Sequence, residues 1–269
     1  MMNERILITG VSGFIGEKLL KNLQGPNVYG TFWSSEVKGA NLFKVNVADE
    51  EAIKKLLQEI KPTLIYHLAG MTSPKKNDEN PEGARASHIN AVSNILKYID
   101  TENCHLIYLS TDKVFDGSEK FPDELSKTVP SCLYGDLKLQ CEEMIKARMK
   151  KYHTVRLSVV HSNGDKRSTS VIDSSILKIK DHQKVNMYKN VLRCFADVTE
   201  LIDILQKLKN DTHYGLYHYG SELISYYDRT IEICEKNGIA YKGLIEGTDG
   251  QVVPLVQDFD TKKINSLNL

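Results

Sequence analysis

No stretch of this 269-residue chain reaches the roughly 18 apolar residues that a membrane-spanning helix needs. Neither sign of charge is in excess: 35 Lys and Arg stand against 35 Asp and Glu. A net charge of zero supplies no pull toward nucleic acid or an anionic bilayer. Cysteine pairing signals are missing too. Cys104, Cys132, Cys141, Cys194 and Cys234 include no CxxC spacing and are odd in number. Reduced thiols in a cytoplasmic protein are the simplest reading. The opening apolar run, RILITG, is too short for a signal peptide. His213, His218 and their neighbours lack metal-ligand spacing, and no internal repeat or low-complexity segment is visible. The expectation is a cytoplasmic enzyme or binding protein with no metal, no nucleic-acid partner and no membrane.

What is present is an alternation of strands and helices. RILITG reads as a buried strand, followed by a helix opening at Gly13-Phe14-Ile15-Gly16 with Leu19, Leu20 and Leu23 on one face. NVYGTFW and NLFKVNV are the next two strands. A helix from about Asp49 carries Ile53, Leu56, Leu57 and Ile60 as its stripe. TLIYHLAG is a fourth strand, continuously apolar as a strand buried on both faces should be. A loop is expected from Thr72 to Pro81, then a helix from Pro81 to Ile99, the strand HLIYLS, a long loop from Thr111 to Pro130, a helix holding Tyr134, and the strand HTVRLSVV. This order predicts an α/β fold, a Rossmann-like doubly wound parallel sheet with a smaller C-terminal substrate region. Residues 1–160 are expected to form the dinucleotide-binding domain and 161–269 the substrate region. Asp197-Val-Thr-Glu200 resembles a capping box, so a segment near 191–210 is expected to return to the first domain. The tail beyond Thr212 has no order readable from pattern.

The first turn spells Gly10-x-x-Gly13-x-x-Gly16. Glycine permits a tight strand-to-helix turn and close approach of a phosphate, and the helix N-terminus offers free N–H groups to a pyrophosphate. In this context the loop predicts dinucleotide binding. NAD sites usually carry an acid on the ribose 2′-hydroxyl about 20 residues past the glycines. Here the second strand ends in Trp33-Ser34-Ser35, with Glu36 late and Lys38 beyond it. An uncharged tip, with Ser34, Ser35 and Lys38 able to receive a 2′-phosphate, favours NADPH over NADH. Trp33 then lies near the adenosine.

Tyr134 and Lys138, in YGDLK, are four residues apart and share one face of a helix. With thirteen tyrosines in the chain, about one such spacing arises by chance. Context lifts it above chance, because Thr111 ends the fifth strand, where open parallel sheets bind ligands. His67 reads as a core histidine and Cys132 as unreactive. Arg193 is divided between a diphosphate contact and a surface role.

At this point the sequence resembles the extended short-chain dehydrogenase/reductase superfamily, and within it the dTDP-4-dehydrorhamnose reductase family. GVSGFIG, VNVADEEAI, HLAG, NPEGARASHINAVSNI, STDKVFDG, YGDLKLQCE, GLYHYGSELISYYD and DFDTKKI carry the resemblance, in the family's order. It implies an NAD(P)H-dependent reductase of a nucleotide-linked 4-keto-6-deoxy sugar. Tyr134 would give a proton to the ketone oxygen, Lys138 would hold the nicotinamide ribose and lower the phenol pKa, and Thr111 would bond the carbonyl oxygen. Asn46 and Val47 would lie near the adenine, Ala69, Gly70 and Ser110 along the cofactor wall, and Val159 near the nicotinamide. Thr72, Lys113, Val114 and Arg193 fall on the substrate side. Dehydratases of the superfamily follow the threonine with Asp-Glu. Asp112-Lys113 lacks that carboxylate pair, so reduction is implied rather than dehydration. Three positions depart from the family pattern: Lys113 replaces a tyrosine, Met71 follows HLAG, and Asn46 replaces an aspartate. A regulatory subunit of methionine adenosyltransferase resembles the same reductases, so a non-catalytic NADP(H)-binding role is the alternative. Another epimerase or reductase of the superfamily is a third reading. The partner expected is a small-molecule nucleotide sugar, with a homodimer as the candidate assembly.

Overall fold

The computed structural model describes residues 4–252 and 254–267. The first half alternates as the periodicity requires: β1 (Ile6–Thr9), α1 (Phe14–Asn22), β2 (Val28–Phe32), β3 (Leu42–Lys44), α2 (Glu50–Ile60), β4 (Leu64–His67), α3 (Pro74–Glu79), α4 (Pro81–Arg85), α5 (Ala91–Tyr98), β5 (His105–Thr111), α6 (Leu133–Arg148) and β6 (Tyr152–Leu157). The second half runs β7 (Val160–His161), α7 (Val171–Lys180), β8 (Val185–Tyr188), β9 (Leu192–Cys194), β10 (Ala196–Asp197), α8 (Val198–Leu208), β11 (Gly215–Tyr219), β12 (Leu223–Ser225), α9 (Tyr226–Lys236), β13 (Ile245–Thr248), β14 (Val256–Gln257) and α10 (Lys262–Ser266).

Seven parallel strands form one sheet in the order β11-β6-β5-β4-β1-β2-β3. The order reverses between β1 and β4, which opens a crevice at their carboxyl ends. The central strands are buried along their whole length. On one face Leu19 of α1 and Leu201, Ile202, Leu205 and Leu208 of α8 pack against Ile6, Ile8 and Tyr66. On the other, the α2 stripe, Val92 and Ile95 of α5 and Cys141 and Ile145 of α6 cover Leu7, Ile65 and Leu106. Both faces are therefore dry, as a doubly wound sheet demands. A third cluster joins α7, α9 and β8 through Ile172, Ile176, Met187 and Ile233.

Helix ends follow local chemistry. Asp49 caps α2 by accepting from Ala52 N at 3.1 Å. Asp197 caps α8 by accepting from Thr199 N at 2.8 Å and Glu200 N at 3.4 Å. Two expectations are corrected. The loop from Thr72 to Pro81 contains helix α3: Ser73 caps it, Pro74 supplies its first turn, and Asn77 donates back to Met71 O at 2.9 Å and Ser73 O at 2.7 Å. The helix from Pro81 is interrupted by a π-turn at Ala86–Asn90 and stops before Ile99, whose backbone is extended. An apolar stripe cannot reveal an inserted residue of this kind, because the repeat on either side is unchanged.

The large sheet takes its edge strand, β11, from beyond the expected return segment of 191–210, with Leu216 paired to Thr154 and Tyr219 to Leu157. α10 packs on it through Ile264. Small sheets made of β7 and β10, of β12, β9 and β14, and of β13 and β8 build the rest of the C-terminal region. No helix of the described residues is long and apolar enough to cross a membrane, and all five cysteines are free.

Candidate active site

The glycine loop joins β1 to α1 at the crevice. Gly10 has φ +78°, and a β-carbon there would lie 2.9 Å from the Ala69 backbone. A β-carbon at Gly16 would lie 2.2 Å from Gly10 O. The cradle is thus kept open by hydrogen alone, with Gly13 as the side-chain-free cap of α1 and Phe14 and Ile15 opening the helix. Thr9 locks the cradle to the end of β4. Its Oγ1 accepts from Leu68 N at 3.1 Å and Ala69 N at 3.2 Å and meets His67 Nδ1 at 2.8 Å. Burial, then the Lys138 charge, pushes the His67 ring down to about 3, so it is neutral. Past the end of β3, Asn46 accepts from Ala48 N at 3.1 Å, and Asn94 of α5 donates to Val47 O and Ala48 O.

At the tip of β2 a cavity of about 410 Å³ is lined by Phe32, Trp33, Ser34, Glu36 and Lys44. Ser35 and Lys38 are exposed but do not line it. Lys44 was not singled out from sequence. It pairs with Phe32 in register, and its Nζ lies 5.8 Å from the Trp33 ring. Parallel pairing of the second and third strands is the signal that would have found it.

Thr111, Tyr134 and Lys138 converge at the carboxyl end of β5. Thr111 Oγ1 accepts from Lys113 N at 3.2 Å and donates to Asp112 Oδ1 at 3.2 Å, capping a 3-10 turn at Asp112–Val114. The Tyr134 phenol lies near the same side chain. Burial, with Asp112 nearby, holds that phenol well above its ordinary value, and the Thr111 hydroxyl opposes the shift. Lys138 donates to Leu109 O at 2.8 Å and lies 4.4 Å from the Tyr108 ring centroid and 6.0 Å from that of Tyr134. Burial lowers the ammonium to about 8, opposed by Cys141 and Glu142. At neutral pH the site therefore holds a protonated phenol beside a cation. The expected lowering of the phenol by Lys138 is not found: burial dominates the shift, and the group that opposes it is Thr111.

The π-turn brings in His88, which sequence placed only on a helix. Its Nε2 lies 3.0 Å from Met71 O, and its ring meets Tyr134 edge-on at 5.7 Å. A β-carbon on Gly70 would lie 3.0 Å from the same ring. Burial and the Lys138 charge push His88 down to about 3, so Nε2 carries the proton and donates to the carbonyl.

Other expected residues fall differently. Ser110 donates its hydroxyl to Glu142. Val114 is fully buried under the turn, so its side chain supports the turn and presents no surface to a ligand. Lys113 donates to Gln257 Oε1 at 2.9 Å, and Gln257 donates to Asp112 O and Phe115 O at 2.9 Å each. Arg193 is neither on the surface nor open to a diphosphate: it is 6% exposed and donates to the carbonyls of Leu192, Leu255 and Pro254 at 2.7, 2.9 and 3.0 Å. Thr72 is exposed between β4 and α3. Val159 is partly buried, and its neighbour Ser158 has a buried Oγ with no protein partner. That orphan hydroxyl past β6 and the glycine cradle past β1 both fit a dinucleotide lying across the crevice.

Residues 4–258 match the family described as the RmlD substrate binding domain. Methionine adenosyltransferase 2 subunit beta from Xenopus tropicalis is 28% identical, over 92% of this chain and 76% of its own length. A dTDP-4-dehydrorhamnose reductase from Aggregatibacter actinomycetemcomitans is 24% identical, over 96% of this chain and 85% of its own. The crystal structure of the Bacillus anthracis dTDP-4-dehydrorhamnose reductase in complex with NADP superimposes with a TM-score of 0.84 at 20% identity, covering 100% of this chain and 94% of that one. The chain belongs to the RmlD substrate binding domain family and has the fold of the extended short-chain dehydrogenases/reductases.

Proposed function

We propose that this protein is an NAD(P)H-dependent reductase of a nucleotide-linked 4-keto-6-deoxy sugar. The observation that carries the reading is the meeting of Thr111, Tyr134 and Lys138 beside the glycine cradle. A reduced nicotinamide bound there supplies a hydride to the ketone carbon. The chain's own residues handle the oxygen: Thr111 positions it, Tyr134 donates the proton it gains, and the Lys138 ammonium stabilises negative charge as it develops. Burial favours this by keeping the phenol protonated until the oxygen becomes basic. Asp112 is followed by Lys113 rather than by a second carboxylate, which suits reduction without elimination of water. The reductase relative supports the substrate class. Lys44 and Trp33 at the β2 tip favour NADPH, and Glu36 on the same cavity leaves NADH as the second choice. A cytoplasmic setting and a homodimeric assembly complete the proposal.

The second reading is an NADP(H)-binding regulatory protein without turnover. The similarity to methionine adenosyltransferase 2 subunit beta favours it. One experiment separates the two: NADPH oxidation by the purified protein against a panel of nucleotide-linked 4-keto-6-deoxy sugars, with Tyr134→Phe alongside. Turnover lost in the variant supports the reductase. Tight NADPH binding with no turnover on any sugar supports the regulatory role.

A further inference from the structure

Glu142 lies on α6 one turn beyond Lys138 and is buried. It accepts from Arg156 through Nε, at 3.0 Å to Oε1 and 3.2 Å to Oε2, and through Nη2 at 2.7 Å to Oε2. The Ser110 hydroxyl donates to the same carboxylate. Arg156 also reaches His218 Nε2 at 3.2 Å, and His218 Nδ1 lies 3.2 Å from Asp260 O. His218 is neutral, pushed down to about 3 by burial and the Arg156 charge, so its proton sits on Nδ1. The chain of bonds runs from α6 across β6 to the edge strand β11 and the C-terminal segment.

One turn earlier on α6, Lys138 donates to Leu109 O. Leu109 and Ser110 are consecutive residues of β5, and Thr111 follows them. Helix α6 therefore grips the end of β5 at two successive points, just below the place where Thr111 must meet Tyr134. The electrostatics run in the same direction. The groups facing Lys138 are Tyr134, Cys141 and Glu142 on α6, Tyr108 on β5, His67 on β4 and His88 in the π-turn. Both histidines are neutral, and burial keeps the two phenols and the Cys141 thiol protonated. Glu142 is the one carboxylate among these groups; it lies one turn along α6 from Lys138 and is hydrogen-bonded to Arg156.

We propose that Glu142 is a positioning residue, which fixes the end of β5 against α6 and supplies the negative charge that keeps Lys138 protonated in the site. The proposal rests on the reading of Tyr134 and Lys138 as the reacting pair. Its consequence is that Lys138 should lose its proton at lower pH without Glu142, and a merely structural role would not move that midpoint.

The test follows the Lys138 side chain by NMR in full-length protein labelled at lysine, with its signal assigned by loss in Lys138→Met. Glu142→Gln should lower the Lys138 midpoint by about one pH unit, the scale expected for losing one nearby opposite charge. Because that variant leaves Arg156 buried without a counter-ion, Glu142→Gln with Arg156→Met provides a second folded form in which the midpoint should also fall. Glu142→Asp should restore most of the shift. A midpoint unmoved in either folded variant overturns the proposal. NADPH affinity of Lys138→Met tests the underlying reading separately: undiminished binding would remove Lys138 from the cofactor site while leaving the coupling to Glu142 as measured.

Discussion

A β-carbon on Gly135 would lie 2.1 Å from the carbonyl oxygen of Lys113. The first turn of α6 thus rests directly on the 3-10 turn that follows β5, and Ser131 N also bonds that carbonyl at 3.0 Å. Glycine between Tyr134 and Asp136 is what lets the phenol reach Thr111. Gly135→Ala should destabilise the fold by about 1–3 kcal/mol through overpacking. It should also weaken NADPH binding and remove turnover, because Tyr134 and Lys138 shift together. Thermal melting and binding titrations check this, and a variant that melts and binds like the parent would show that the turn yields freely.

Tyr134→Phe removes the phenolic proton and little else. Turnover is expected to fall by roughly 10²–10⁴, with NADPH affinity within a few-fold of the parent. Retention of more than a tenth of the rate would move the proton donor to another group, with His88 as the nearest ring to examine.

The β2 tip predicts cofactor choice. Lys44→Ala should weaken NADPH binding by roughly tenfold, the loss of about one charge-assisted hydrogen bond, and leave NADH affinity unchanged. Trp33, 56% exposed beside Lys44, provides the fluorescence signal for both titrations. Equal losses for the two cofactors would place the 2′-phosphate elsewhere.

Stability should fall on mild acidification. Burial lowers His105 from its ordinary 6.5 to about 4, and lowers His67, His88 and His218 to about 3. The unfolded chain therefore takes up protons first as pH drops. The contribution of these neutral rings is full above about pH 6.5 and is progressively lost down to about pH 4 and below. Urea unfolding at about pH 7.5 and about pH 5 measures it. A midpoint independent of pH across that window would mean that the rings are charged, or reach solvent, in the folded state.

Legibility divides along physical lines. The strands and helices of the first half were readable because each one's burial is written in its own periodicity: the Ile53, Leu56, Leu57, Ile60 stripe is buried residue by residue. Helix α3 was missed because it has only six residues and is held by a cap and by Asn77 rather than by an apolar stripe. Arg193 could not be read, since two of the three backbone carbonyls it bonds lie about 60 positions downstream. Gln257, which buttresses the Asp112–Val114 turn, carries no sequence signal at all.

The sequence by itself determined the glycine cradle, the parallel alternation and the residue types at the reacting centre. These depend on backbone freedom and on spacings within one element. Only the tertiary structure decided that His88 faces Tyr134, that Lys44 borders Trp33, that β11 forms the edge of the sheet, and that Glu142 joins Ser110 to Arg156. Those relationships join residues whose separation along the chain says nothing of their distance in space. They are set by which surfaces the folded sheet brings together, and by the low dielectric that burial creates around them.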